Sequence, residues 1–171
     1  GTGTLTLSGN NSFTGTTTIN TGTLEVGGSG LLGAGSYSAN IANNGTLLYN
    51  GTNSQTLSGV ISGSGALTKA NSGSLILSGA NTYTGTTTIN AGTLQMAHAS
   101  ALGSGGNITF SGGALQFGSG ITTDISSRIK NSGSAIVVDT NSNNVTFSSN
   151  LGSTVGDGSK VENRDGSKVN W

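Results

Sequence analysis

The 171-residue sequence contains no cysteine and no proline, and only twelve of its residues are charged. Without cysteine, the chain cannot carry a disulfide framework. Six basic and six acidic residues give a net charge of zero, so the chain lacks the positive patch that nucleic acid or an anionic membrane surface requires. No stretch approaches the ~18 consecutive apolar residues of a membrane-spanning helix. We therefore expect neither nucleic acid nor membrane insertion by this segment.

The sequence is rich in a few small polar residues. Glycine, serine, threonine and asparagine make up 101 of the 171 residues. The sparse apolar residues alternate with polar ones, as in Leu75-x-Leu77 and Leu115-x-Phe117. A period of two is typical of strands with one buried face, and no helical pattern persists for three turns. The sequence therefore predicts an ordered all-β fold.

A 24-residue segment occurs twice, at 3–26 and 73–96, with 16 identical positions and a constant offset of 70. Internal repetition of this kind is the signature of a solenoid. At ~20 to 24 residues per coil, a 70-residue unit holds about three coils and the chain about seven. We predict a parallel β-helix in which both copies lie on the same side of the rod. The lack of proline agrees, because every interior strand needs its backbone donors.

The predicted solenoid covers 1–156, as two ~70-residue repeats and a partial third, and a charged terminal segment or cap covers 157–171. That last segment holds half of all charged residues. Charges on a terminal strand discourage uncontrolled stacking, although a solvated tail would have the same composition. The chain begins at Gly1 without a methionine or a signal peptide, so we expect it to be a piece of a longer protein.

Three pairs of equivalent residues are predicted to organise the corners between strands. Asn11 and its copy Asn81, like Asn20 and its copy Asn90, fall beside turns, where a side-chain amide can satisfy backbone groups. Phe13 and its copy Tyr83 lie in a short bend, and we expect each ring to pack over a corner.

The segments 5–24 and 75–94 share the pattern L-x-L-S-G-x-N-[ST]-[FY]-T-G-T-T-T-I-N-x-G-T-L. This pattern resembles the autotransporter-associated β-strand repeat, also called the passenger-associated transport repeat. The resemblance implies a right-handed parallel β-helix in the passenger of a secreted bacterial surface protein, at the extracellular or outer-membrane surface. It also implies a role in passenger transport and folding rather than catalysis.

Some parallel β-helices cleave glycans, and such reactions need two carboxylates that converge on a groove. Asp124 and Asp139 could share a coil face, but nothing in the sequence brings them together. Glu25 is replaced by Gln95 in the second copy, so its position does not require a charge. His98 is the only histidine, and serine is too common here to indicate a triad. The sequence predicts no catalytic site and no enzyme activity.

Metal and cofactor sites are equally unsupported by the sequence. One histidine without cysteine does not make a zinc site. Gly156-Asp157-Gly158 is an isolated hint of the calcium β-roll, whose repeats come in tandem. We expect no bound metal and no cofactor.

Each copy also carries three consecutive threonines, at 16–18 and 86–88. Strand alternation places Thr17 inward and Thr16 and Thr18 outward. A T-x-T face on a β-helix resembles the surfaces of some ice-binding proteins. Such a face needs a threonine pair on nearly every coil, and a single occurrence in each long repeat unit argues against it.

Three functions remain open from the sequence. The leading hypothesis is a structural and adhesive stalk segment, with a ligand on a host or neighbouring cell as its partner. The first alternative is a filament subunit, because an excised solenoid exposes unpaired strand edges through which copies could stack end to end. A glycan-active enzyme is the least favoured.

Overall fold

The computed structural model of the protein describes residues 1–151, 161–166 and 169–170, and these form a β-solenoid of about seven coils. Every pairing between the described strands is parallel, as predicted. No helix among these residues is long and apolar enough to cross a membrane.

The strands of successive coils form three faces and two short pairs. Face one contains β1 (Thr4–Leu7), β4 (Thr23–Gly28), β8 (Thr46–Gly51), β11 (Ala66–Lys69), β13 (Thr87–Ile89) and β15 (Ile108–Phe110). Face two contains β6 (Ser36–Tyr37), β9 (Ser54–Leu57), β12 (Ser74–Leu77), β14 (Thr93–Met96), β16 (Ala114–Phe117), β17 (Ile136–Asp139) and β19 (Val161–Asn163). Face three contains β3 (Thr17–Ile19), β7 (Ile41–Asn43) and β10 (Ile61–Ser62). The pairs are β2 (Asn10–Asn11) with β5 (Leu31–Leu32), and β18 (Val145–Thr146) with β20 (Val169–Asn170).

The core is a set of apolar columns that run along the inside of the rod. On face two, Leu75 pairs in register with Leu94, and Leu94 pairs with Leu115. All three side chains are fully buried, because alternation turns every second residue of a strand inward. Stacking identical side chains between rungs is therefore the main source of burial in this fold.

The prediction that both copies lie on the same side of the rod is wrong. Segment 3–26 places both its β1 and β4 ends on face one, whereas the matching strands of 73–96, β12 and β14, lie on face two. The reason is the length of a coil. The offset of 70 residues between the two copies is longer than three coils, and the excess is about the number of residues that separate one face from the next. Leu24 is followed on face one by Leu47, Leu67 and Thr87, and its copy Leu94 comes one strand after Thr87. The second copy is thus the first one turned by one face.

Glycines form a column at the corner that leads into face one. Positions 45, 65, 85 and 106 each lie directly on the glycine carbonyl of the coil below. A β-carbon on Gly65 would come within 2.4 Å of the Gly45 oxygen, and one on Gly85 within 2.2 Å of the Gly65 oxygen. Only glycine allows adjacent backbones this close, so the coils could not approach here with any other residue.

The second coil is longer than its neighbours and holds short strands that the sequence pattern did not indicate. It contains β5, β6 and β7, with a 3₁₀ turn at Gly33–Gly35. The buried Gln55 side chain bonds both backbone groups of Leu32, accepting from its N–H at 2.7 Å and donating to its carbonyl at 3.1 Å. Gln55 thereby replaces the strand pairing that the extra residues interrupt.

The solenoid continues into the described part of the last segment. Strand β19 pairs with β17, and β20 pairs with β18. Asp165 accepts hydrogen bonds from the Thr140 hydroxyl and the Ser142 N–H. Residues 152–160, 167–168 and 171, with three of the six charges predicted to form a cap, lie outside the described residues. The cap at 157–171 therefore stays a prediction.

Candidate functional site

Each copy of the repeated segment closes on itself as one complete coil. Leu5 pairs with Leu24, and Leu75 pairs with Leu94, in the same register within both copies. The L-x-L at the start of the pattern is thus covered by the G-T-L-x at its end, one coil later. Because both ends of the unit present the same kind of rung, a further coil can be added to either end. This self-stacking coil is the candidate functional element of the chain.

The asparagine that recurs in both copies ties three coils together. Asn81 is buried, and its side-chain oxygen accepts from the Ile61 N–H at 2.8 Å. Its side-chain nitrogen donates to the Ala101 carbonyl at 2.7 Å, one coil further on. Asn11 makes the matching bond to the Leu31 carbonyl at 3.1 Å. The prediction that these amides satisfy backbone groups beside turns is confirmed for Asn11 and Asn81. It is wrong for Asn20 and Asn90, whose exposed side chains make no hydrogen bond to the described residues.

The aromatic residue of the repeat also packs at a corner, but differently in each copy. Tyr83 is fully buried and its hydroxyl lies 2.7 Å from the Thr87 hydroxyl. Phe13 has no hydroxyl and is 40% exposed, so Tyr37 from the next coil contacts Thr17 instead, at 2.7 Å. The Phe13 ring packs edge-on against Tyr37, with centroids 5.6 Å apart. The corner role is confirmed for Tyr83, and the hydroxyl is supplied by a neighbour in the first copy.

Lys69 is a buried cation that the sequence analysis missed. It follows Leu67 by two residues, so strand alternation points it inward, between Tyr49 and Ile89 of the neighbouring rungs. Its Nζ donates to the carbonyls of Ala70 and Asn71, both at 2.7 Å, and to that of Ala91 at 3.1 Å. The Tyr49 ring centroid lies 5.5 Å from the same nitrogen. The ammonium therefore fastens the corner between faces one and two across two coils.

We expect the stability of the protein to rise between pH 8 and pH 10 because of Lys69. Burial lowers the pKa of Lys69 from 10.5 to about 8, so in this range the unfolded chain binds more protons than the folded one. The free energy of unfolding should increase by about 2 kcal/mol across the window. Above pH 10 the gain should reverse, because burial raises the pKa of Tyr49, and that of Tyr83 to about 12. Urea denaturation at a series of pH values measures this profile.

The control for this prediction is Lys69→Met, which keeps the length of the side chain but cannot titrate. Its unfolding free energy should stay level from pH 8 to pH 10. Equal slopes for the variant and the parent would show that Lys69 does not cause the dependence.

Arg128 plays a similar part at the corner that leads into face one. The half-buried guanidinium donates to the Leu102, Gly103 and Gly106 carbonyls at 2.7, 3.0 and 2.9 Å respectively. These three acceptors belong to the coil below. The Arg128 side chain therefore satisfies turn carbonyls that would otherwise lack a hydrogen-bond donor within the protein. Lys69 and Arg128 thus both hold backbone carbonyls.

Asp124 and Asp139, the candidate acids for glycan cleavage, each hold their own turn. Asp124 accepts from the N–H groups of Ser126 and Ser148, both at 2.9 Å. Partial burial opposes ionisation, but hydrogen bonds from the Ser126 and Ser148 side chains, together with these N–H groups, outweigh it and lower the pKa of Asp124 to about 2. Asp139 accepts from Gln116 at 2.8 Å and from the Asn141 N–H at 3.0 Å. A general acid needs a raised pKa, so Asp124 is poorly suited to that role.

The other sequence-level candidates have local contacts. His98 lies in a turn, where its Nδ1 accepts from the Ser100 N–H at 3.0 Å. Within the described ranges, no three His, Cys, Asp or Glu side chains cluster to hold a metal ion. The calcium hint at 156–158 lies outside those ranges.

Comparison with known proteins agrees with the resemblance read from the pattern. The model of the passenger-associated transport repeat family matches residues 1–26 and 67–96. The adhesin BmaC autotransporter of Brucella suis biovar 1 (strain 1330) is 46% identical over 101 residues, which cover 59% of this chain and 3% of that protein. The chain therefore spans only a small part of this relative's length. No solved structure gives a significant match.

Proposed function

Because the chain is a β-solenoid segment of an autotransporter passenger and carries the passenger-associated transport repeat, we propose that it serves as a structural and adhesive stalk. The family implies secretion to the extracellular side or the outer-membrane surface. A stalk holds other regions of a long passenger away from the cell, and adhesion adds a ligand on a host or neighbouring cell. The adhesive part rests on the similarity to the Brucella protein, which is an adhesin.

The self-stacking coil is the observation that carries the stalk proposal. Each copy of the repeat starts and ends on equivalent rungs, so length can grow by whole coils without changing the interior. Each coil contacts chiefly its neighbours, and a chain that emerges through a pore can therefore add coils one at a time. The absence of cysteine suits that route, since no disulfide can form before transport.

Deleting one whole coil tests whether length is modular. Ala66 and Thr86 hold equivalent positions, because Leu67 pairs with Thr87, so removal of 66–85 should leave a continuous solenoid one rung, or ~4.8 Å, shorter. Displayed in a passenger on bacterial cells, this variant should resist external protease as the parent does. Deletion of 66–75 is the control, since half a coil breaks every later register. Equal protease sensitivity of the two deletions would contradict the proposal.

Adhesion and catalysis are tested separately on the displayed segment. Cells that carry it should adhere to host or neighbouring cells more than cells with a passenger that lacks it, and equal adhesion would remove the adhesive part. We propose that the segment has no enzyme activity. Polysaccharide depolymerisation that is abolished in Asp124→Asn with Asp139→Asn would contradict this.

End-to-end assembly is the second candidate, and one observation favours it. Leu5 in β1 is 63% exposed although its equivalent Leu75 is fully buried, so the first rung presents an apolar surface. In the isolated segment a second copy that stacked on β1 would cover it, as a preceding coil would in a longer chain. Electron microscopy of the purified chain separates the two proposals, because uniform fibres indicate assembly and separate particles indicate a stalk segment.

A further inference from the structure

The outward side of face one carries an array of threonines. Six successive rungs each present two outward positions there, and their residues are, from rung to rung, Thr4 and Thr6, Thr23 and Glu25, Thr46 and Leu48, Ala66 and Thr68, Thr86 and Thr88, and Asn107 and Thr109. Eight of these twelve positions are threonine. We call this surface the threonine face.

The array exists because the second copy is turned by one face. The first copy supplies Thr4 and Thr6, and Thr23 one coil later. The second copy supplies Thr86 and Thr88, which reach face one although their equivalents Thr16 and Thr18 lie on or beside face three. Other coils add Thr46, Thr68 and Thr109. The three consecutive threonines occur only once in each repeat unit, which argued against a threonine surface. On face one, however, threonines from other parts of the repeat and from other coils fill the intervening rungs.

Most hydroxyls of the threonine face are unused by the protein. Among the described residues, the hydroxyls of Thr4, Thr23, Thr46, Thr68, Thr86 and Thr88 have no protein hydrogen-bond partner. Thr6 donates to Glu25 at 3.1 Å, and Thr109 donates to the Lys130 carbonyl at 3.0 Å. Glu25 is the only charge among the twelve positions, and none of them is aromatic. The face therefore offers hydroxyls and methyls, with a single carboxylate and no stacking group.

The parallel ladder repeats these groups in two dimensions. Successive rungs are ~4.8 Å apart, and outward positions on one strand are ~6.6 Å apart. The array thus extends ~24 Å along the rod. A ligand that matches it must be periodic in both directions, uncharged, and able to donate and accept hydrogen bonds at each site. Ordered water has these properties, since hydroxyls can anchor its molecules while methyls limit competing hydration.

We propose that the threonine face binds ice. The absence of aromatic side chains favours ice over a neutral polysaccharide, whose sugar rings would gain from stacking. The four positions that are not threonine interrupt the match, and Glu25 and Leu48 are adjacent in one column. Binding by this segment should accordingly be measurable but weak, and filling the gaps should strengthen it.

Ice affinity of the purified chain tests the proposal. The parent should be incorporated into a slowly growing ice hemisphere above the level of serum albumin, and it should inhibit ice recrystallisation. Thr86→Lys with Thr88→Lys should reduce incorporation to the albumin level. Thr88→Val keeps the branched shape of the side chain and removes only its hydroxyl, so it is the variant least expected to disturb folding. It should lower incorporation at least twofold. Ser74→Lys with Thr93→Lys, outward on face two, is the matched control and should retain parental incorporation.

A gain-of-function variant gives an independent arm. Glu25→Thr with Leu48→Thr completes one column of the face, and incorporation should at least double. The proposal is overturned if the parent does not exceed albumin, if the face-two control loses as much as the face-one variant, or if the completed column adds nothing. Retention on crystalline cellulose or chitin that depends on Thr86 and Thr88, without ice incorporation, would assign the face to a polysaccharide and would also overturn it.

Discussion

Gly85→Ala is expected to destabilise the protein by about 3 kcal/mol. A β-carbon at this position would lie 2.2 Å from the Gly65 oxygen and 2.5 Å from the Gly65 carbon, both backbone atoms of the coil below. The contact can be relieved only by separating the two coils at the corner, which disturbs the pairing of β11 with β13. Urea denaturation monitored by circular dichroism measures the change.

The repeat supplies the control for this substitution. Gly15 is the equivalent glycine of the first copy, and a β-carbon there meets nothing within 4 Å. Neither glycine has a positive φ, so steric contact with the coil below is the only difference that matters. Gly15→Ala should change stability by less than about 0.5 kcal/mol. Equal losses for the two variants would show that glycine is needed for its own backbone conformation rather than for coil contact.

Leu75→Ala is expected to lower the free energy of unfolding by about 2 to 5 kcal/mol. Leu75 is fully buried in the face-two column, between Gln55 of β9 and Leu94 of β14. Truncation leaves a void that the flanking coils can close only by giving up register. The measurement is the same denaturation experiment, with limited proteolysis to locate the weakened coil.

Leu5→Ala is the matched variant, because Leu5 holds the same position in the first copy and is 63% exposed. Its loss should be below about 1 kcal/mol, since little of the side chain is removed from water. The contrast tests the register itself. A large effect at Leu5 would mean that in solution the first rung is covered by another copy.

The architecture could be predicted well from the sequence because the repeated segment contains the pattern of one whole coil within a short stretch of chain. Alternation marked the strands, and two copies of the pattern marked the coil that closes on itself. The bridging amide of Asn81 and the corner position of Tyr83 followed from turn chemistry within a few residues. Each of these depends on neighbours along the chain, which a single sequence displays directly.

Features that depend on register between coils were not predictable in the same way. The turn of one face between copies depends on small differences in coil length, which accumulate over the whole repeat unit. The threonine face depends on that turn. Lys69 could have been found, since Leu67-x-Lys69 alternates like a strand, but a charged residue at an inward position is read as a strand end. Gln55 bonds the backbone of the preceding coil, which is lengthened by extra residues, and nothing beside Gln55 in the sequence indicates that role.

The turn of one face per copy has a consequence for longer arrays. If each 70-residue unit advanced by one third of a revolution, a side chain at a fixed place in the unit would regain its original heading only after about three units, or ~210 residues. A feature that occurs once per unit would then follow a helical path around the rod. A binding surface carried by each unit would then point in all directions around the long axis of the rod.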